Sequence, residues 1–97
     1  MLIISLTYKA PLSEVERLIP EHNDFLEKYY RQGKFIASEK KEPRTGEIIL
    51  ANADSRDQVM NMITEDPLHI HRIADYNVTE FLPSKYNDNF KFFIETA

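Results

Sequence analysis

Apolar residues run almost unbroken from Leu2 to Leu6, and after Pro11 they recur every three or four positions. The first pattern predicts a strand over Leu2–Tyr8 that is buried on both faces. The second predicts a helix carrying Val15, Leu18 and Ile19 inward. Ser13 stands where an N-cap is expected, and Glu16, three residues on, completes a capping box. Pro20 cannot donate a backbone hydrogen bond and clashes with the preceding turn, so a kink or a restart is expected there. Past it, His22, Phe25, Leu26 and Tyr29 stand at offsets 0, 3, 4 and 7, one inward face of a second helical segment. Gly33 fits the position after that helix, where a left-handed backbone is cheapest for glycine.

From Phe35 to Lys41 the pattern becomes polar along its length, as an edge strand does. Pro43-Arg44-Thr45-Gly46 is turn chemistry. Glu47-Ile48-Ile49-Leu50-Ala51 is apolar on consecutive residues and predicts a central strand. Ser55 with Gln58 is a second capping box, opening a helix that buries Val59, Met60, Met62 or Ile63. Asp66 before Pro67 predicts the N-cap of a short helix with proline at its first position. A fourth strand is expected from Asp75 or Tyr76 to Leu82. The order β-α-β-β-α-β is the ferredoxin-like α+β arrangement: an antiparallel four-stranded sheet, helices on one face, strands one and three in the middle. Residues 1–83 form this domain. The segment 84–97 carries Tyr86, Phe90, Phe92, Phe93 and Ile94, an aromatic tail expected to pack on the domain or on a dimer partner. The sheet's bare face suits a second copy, so a homodimer is expected.

Charge and composition then remove whole classes of partner. Twelve Lys plus Arg against 16 Asp plus Glu leave a net charge of -4, which speaks against nucleic acid. Cysteine is absent, so no disulfide, thiolate nucleophile or cysteine metal cluster can form. The apolar run at the N-terminus is short for a signal peptide, and no span approaches the roughly 20 apolar residues that cross a bilayer. A cytoplasmic protein with no membrane partner is expected.

The candidate chemistry begins with an imidazole on an apolar helix face. Burial favours neutral His22, whereas a carboxylate partner favours its charged form, and Asp66 is the well-placed candidate. In the functional reading His22 is a general base and Asp66 fixes its tautomer. In the plain reading His22 is a core histidine satisfied by a backbone carbonyl, and Asp66 is only a helix cap. His69 and His71 are two apart, which sends their rings to opposite sides of a helix, so no metal site is expected. His69 alone, one turn after Asp66, is a candidate for the same pocket. Ser38 and Arg44 are candidates for binding an anionic substrate group, with a solvated turn residue as the plain reading of Arg44. With two glycines and no Gly-x-Ser-x-Gly turn, neither a phosphate loop nor a serine-nucleophile elbow is present, and no cofactor is expected.

Several of these features recur together: Pro20-Glu21-His22 with Leu26, Gly33 opening a strand at Phe35, and Asp66-Pro67 before a strand ending near Phe81. In this combination the chain resembles the YCII-related (YciI-like) family, from about Leu2 to Pro83. The resemblance implies a dimeric ferredoxin-like α+β barrel and a site with a His–Asp pair, falling here on His22 and Asp66. It also implies a site like that of small-molecule enzymes acting on ring compounds. One departure stands out. Where relatives carry a Gly-Pro step after this strand, the chain has Glu39 and Lys40, which implies either a remodelled pocket mouth or a loss of activity. The expected function is thus a cofactor-independent small-molecule enzyme, lyase, isomerase or dehalogenase-like. The alternative is a non-catalytic ligand-binding or regulatory dimer using the same pocket. In the enzymatic reading, His22→Ala abolishes turnover and leaves the thermal midpoint almost unchanged. The substrate is not legible.

Overall fold

A computed structural model describes residues 1–95. Strand β1 (Leu2–Tyr8) leads into helix α1 (Leu12–Arg31), then strands β2 (Phe35–Lys40) and β3 (Gly46–Ala51). Helix α2 (Arg56–Ile63), the short α3 (Pro67–Ile70) and strand β4 (Ala74–Glu80) complete the sheet unit. A 3-10 turn at Asp88–Phe90 and a short α4 (Lys91–Glu95) follow. The strands lie in the order β2-β3-β1-β4, every neighbouring pair antiparallel. This is the ferredoxin-like α+β architecture, with the two most apolar strands in the middle as their sequences predict.

Alternation divides β1 between two environments. Leu2, Ile4 and Leu6 are fully buried beneath the helices, whereas Ile3, Ser5 and Thr7 face the other side of the sheet. Ile49 and Ala51 of β3, and Ala74 and Val78 of β4, complete the covered face. From α1, the buried face is Val15, Leu18, His22, Phe25, Leu26 and Tyr29. The rings of Phe25 and Tyr29 meet Phe35 of β2 at centroid distances of 5.7 and 5.4 Å, which ties the C-terminal half of α1 to the sheet edge.

Two expectations about α1 fail. The helix begins at Leu12, one residue before the expected cap, and no side chain caps it. Pro11, in extended conformation, instead accepts from the Glu14 and Val15 amides through its own carbonyl. Glu16 is used elsewhere, in an ion pair with Arg44 at 3.0 Å. Nor, of the kink or restart expected at Pro20, is there a restart: the helix runs through that residue. Pro20 and Glu16 are both exposed, so the Glu16 carbonyl, deprived of its amide partner, belongs to the solvent side of the helix rather than to the core. At the other end, Gly33 has φ +72° and makes a Schellman closure, its amide donating to the Tyr30 carbonyl and that of Lys34 to Tyr29.

The other caps match. Ser55 accepts from the Gln58 amide at 3.1 Å, although the Gln58 side chain reaches back to the Asp54 amide rather than to Ser55. Val59, Met62 and Ile63 of α2 are buried and Met60 is not. Strand β4 ends at Glu80, two residues short of the expected Leu82. The tail is met by Asn52, whose side-chain Nδ2 donates to the Phe93 carbonyl at 2.7 Å. Among the described residues no helix is long and apolar enough to cross a membrane.

Candidate active site

Strand register sets the floor of the site. Leu6, in the middle of β1, pairs with Glu47 on one side and Tyr76 on the other. Pairing keeps opposed residues on one face of a sheet, so Glu47 and Tyr76 flank Leu6 on the covered side, with Tyr8 two residues further along. His22 descends onto this row from the middle of α1. Asp66 enters from the N-cap of α3, where its Oδ1 accepts from the Leu68 amide at 3.0 Å.

These five side chains form one chain of hydrogen bonds. His22 Nδ1 lies 2.8 Å from Asp66 Oδ1. Its Nε2 lies 3.1 Å from Glu47 Oε1 and 3.0 Å from Oε2. Tyr76 donates its hydroxyl to Asp66 Oδ2 at 2.6 Å, and Tyr8 donates to Glu47 Oε2 at 3.3 Å. The three central groups are almost wholly buried: His22 is 1% exposed, Asp66 0% and Glu47 5%. Buried charges persist only when paired and hydrogen-bonded, a condition the network meets at each carboxylate.

Opposing effects act on the imidazole. Burial alone favours its neutral form, but the hydrogen bonds and negative charges of Asp66 and Glu47 outweigh it and raise the His22 pKa from 6.5 to about 9. At neutral pH the ring is therefore an imidazolium between two carboxylates. The tyrosines are held protonated, chiefly by burial and secondly by the adjacent carboxylates. Tyr8 is pushed up to about 12, with the Arg44 guanidinium pulling the other way, and Tyr76 is raised further still.

His22 and Glu47 open onto a hollow of about 210 Å³ whose wall includes Asn23, Ser38, Glu39 and Lys40. Glu39 and Lys40 thus line the same hollow as His22. Ser38 faces the same hollow and shares a 2.6 Å hydrogen bond with the Tyr30 hydroxyl. Arg44 does not line it, and is engaged by Glu16. His69 faces a different hollow, of about 340 Å³, with Lys9 and Arg72, its ring edge-on to Tyr76 at 5.6 Å. The structure thus joins His22 and Asp66 and sets Ser38 on the same hollow as His22, while His69 packs on Tyr76 and faces another hollow. Among the described residues no group of three or more acids and histidines is arranged to hold a metal ion.

Sequence reasoning missed Glu47, Tyr76 and Tyr8. For Tyr76 a signal was present: Ala74, Tyr76 and Val78 alternate with Asp75, Asn77 and Thr79, which turns the tyrosine inward. For Glu47 there was none, because both parities of its strand are apolar.

A known structure shares this fold. That of 5-chloro-2-hydroxyhydroquinone dehydrochlorinase (TftG) from Burkholderia phenoliruptrix AC1100, in complex with 2,5-dihydroxybenzoquinone, matches with a TM-score of 0.73 at 20% sequence identity, over 91% of this chain and 100% of that one. No curated protein matches the chain. The family model of the YCII-related domain matches residues 1–82. The chain belongs to the YCII-related family.

Proposed function

We propose that the chain is a small-molecule enzyme that needs no cofactor and runs a proton transfer in the site built around the Asp66–His22 pair. One observation carries this reading: a buried imidazole, 2.8 Å from an equally buried carboxylate, opens onto a hollow of small-molecule size. A lyase, isomerase or dehalogenase-like step suits it, since each moves a proton to or from a ring compound without redox change. The hollow offers apolar wall from Ile19 and Leu26, and Ser38, Asn23 and Lys40 for polar substituents.

The dehydrochlorinase that shares the fold supplies the first compounds to try. Chloride release from 5-chloro-2-hydroxyhydroquinone, lost in His22→Gln, supports the enzymatic reading. Thermal stabilisation by 2,5-dihydroxybenzoquinone with no chloride released supports the second reading, a ligand-binding or regulatory protein. That second reading has its own observation, since both ring nitrogens of His22 are already occupied. Neither effect, with either compound, removes this class of ligand.

We also propose that a second copy covers the bare face of the sheet, where Ile3 pairs with Leu50 and Ile48, opposite Ser5, turns to the same side. The tail, expected over 84–97 and described as far as residue 95, is read as an appendage to the domain, held where the Asn52 side chain meets Phe93.

A further inference from the structure

His22 lines the hollow but offers it no lone pair. Asp66 holds Nδ1 and both oxygens of Glu47 approach Nε2. A neutral imidazole has one donor nitrogen and one acceptor, whereas an ionised carboxylate only accepts. Two carboxylates on one ring are both satisfied when both nitrogens carry protons, and that imidazolium cannot take another. Glu47 is placed differently. It stands on a central strand, lines the hollow beside Ser38 and Lys40, and has roughly four lone-pair positions that His22 and Tyr8 do not exhaust.

We infer that Glu47, rather than His22, is the base that takes a proton from a ligand in this hollow, with His22 as a fixed cation behind it. The inference rests on the enzymatic reading and names the atom that receives the proton. In the step, a ligand C–H or O–H bond breaks, an O–H bond forms on Glu47, and the electron pair stays on the ligand. Lys40, on the wall of the same hollow, is the cation available to the charge so formed. Asp66 and Glu47 face the ring directly; Tyr76, Tyr8 and Arg44 stand behind them. Throughout the cycle His22 keeps both protons, and Asp66 holds it in place.

A substrate-independent probe tests this. Removing the ring C–H proton of 5-nitrobenzisoxazole converts that carbon and nitrogen to a nitrile, breaks the N–O bond and releases a coloured phenolate. The wild type is expected to catalyse this elimination, with a rate already level between pH 7 and 8. Glu47→Gln, which keeps a hydrogen-bond acceptor for Nε2 but is no base, is expected to lose about a hundredfold. Glu47→Asp is expected to recover part of it. A rate that instead climbs through pH 9, following loss of the His22 proton, overturns the inference and leaves the Asp66–His22 reading standing with His22 as base. Full activity in Glu47→Gln does the same. A wild type no faster than acetate at equal carboxylate concentration overturns both. Should Glu47→Gln fail to fold, the wild-type pH profile decides alone.

Discussion

Nδ1 of His22 lies 2.8 Å from Oδ1 of Asp66, across forty-four positions of sequence, with the ring 1% exposed and the carboxylate 0%. That contact links the middle of the longest helix to the cap of the shortest helix beside β4. It is as much a structural joint as a chemical one. The first two predictions below follow from its dual nature.

His22 has a folded pKa of about 9 against 6.5 for an unperturbed ring. A group whose pKa is raised on folding adds stability that is complete below 6.5 and disappears as pH climbs through 9. The shift corresponds to something on the order of 3 kcal/mol. Urea unfolding of the wild type at pH 6 and pH 10, set against His22→Gln at the same two pH values, should reveal that difference. A variant whose loss between the two matches the wild type would deny the ring its charge.

His22→Ala strips the cation from between two buried carboxylates. The sequence alone led to an expected thermal midpoint almost unchanged. The burial of both acids reverses that, since breaking a buried ion pair costs about 3–5 kcal/mol. Asp66→Ala should be at least as costly, because it unpairs the His22 ring, the Leu68 amide and the Tyr76 hydroxyl together. Thermal melts of both variants check this, and a midpoint within a degree of wild type would contradict it.

The two glycines should respond differently to alanine. At Gly46 an added Cβ would lie 1.8 Å from the Leu6 carbonyl oxygen, a backbone atom that cannot step aside without parting β1 from β3. Gly46→Ala should therefore unfold the protein or move Glu47 off the His22 ring. At Gly33 the space is open but φ is +72°, so alanine there should cost only about 1–2 kcal/mol. Denaturant midpoints of the pair rank the two effects, and equal losses would refute the steric account.

If a second copy covers the bare face, Ile48→Lys should halve the mass seen by light scattering. Ile48 is 39% exposed and its loss leaves the buried core intact, so the variant should stay folded. A wild type already monomeric at micromolar concentration would end that proposal.

Ending the chain after Pro83 removes the partner of the Asn52 amide. If the tail serves its own domain, the shortened chain should melt lower by a few degrees at unchanged oligomer mass. A fall in mass would assign the tail to the interface between copies.

Local pattern sufficed for a good deal of this. Helical phase turned His22, Phe25 and Tyr29 inward, whereas β1 was expected to be buried on both faces and is covered only on the side of Leu2, Ile4 and Leu6. Short-range chemistry placed the turns at Ser55, Asp66-Pro67 and Gly33, because a cap or a left-handed turn is decided within four or five residues. The same locality explains the failures. Ser13 resembles a cap, but the preceding proline sets where the helix starts. Pro20 resembles a break, but it falls on the solvent face of a helix that packing holds together.

Which side of β3 carries Glu47 was undecided in a strand apolar on both parities, and which hollow receives His69 depends on where α3 sits against β4. The sequence by itself determined the order of elements, the buried face of α1 and with it the inward turn of His22. Only the tertiary structure decided that Glu47, Leu6 and Tyr76 share one level of the sheet beneath that ring. Strand register and helix docking are set by contacts dozens of residues apart, and no local periodicity records them.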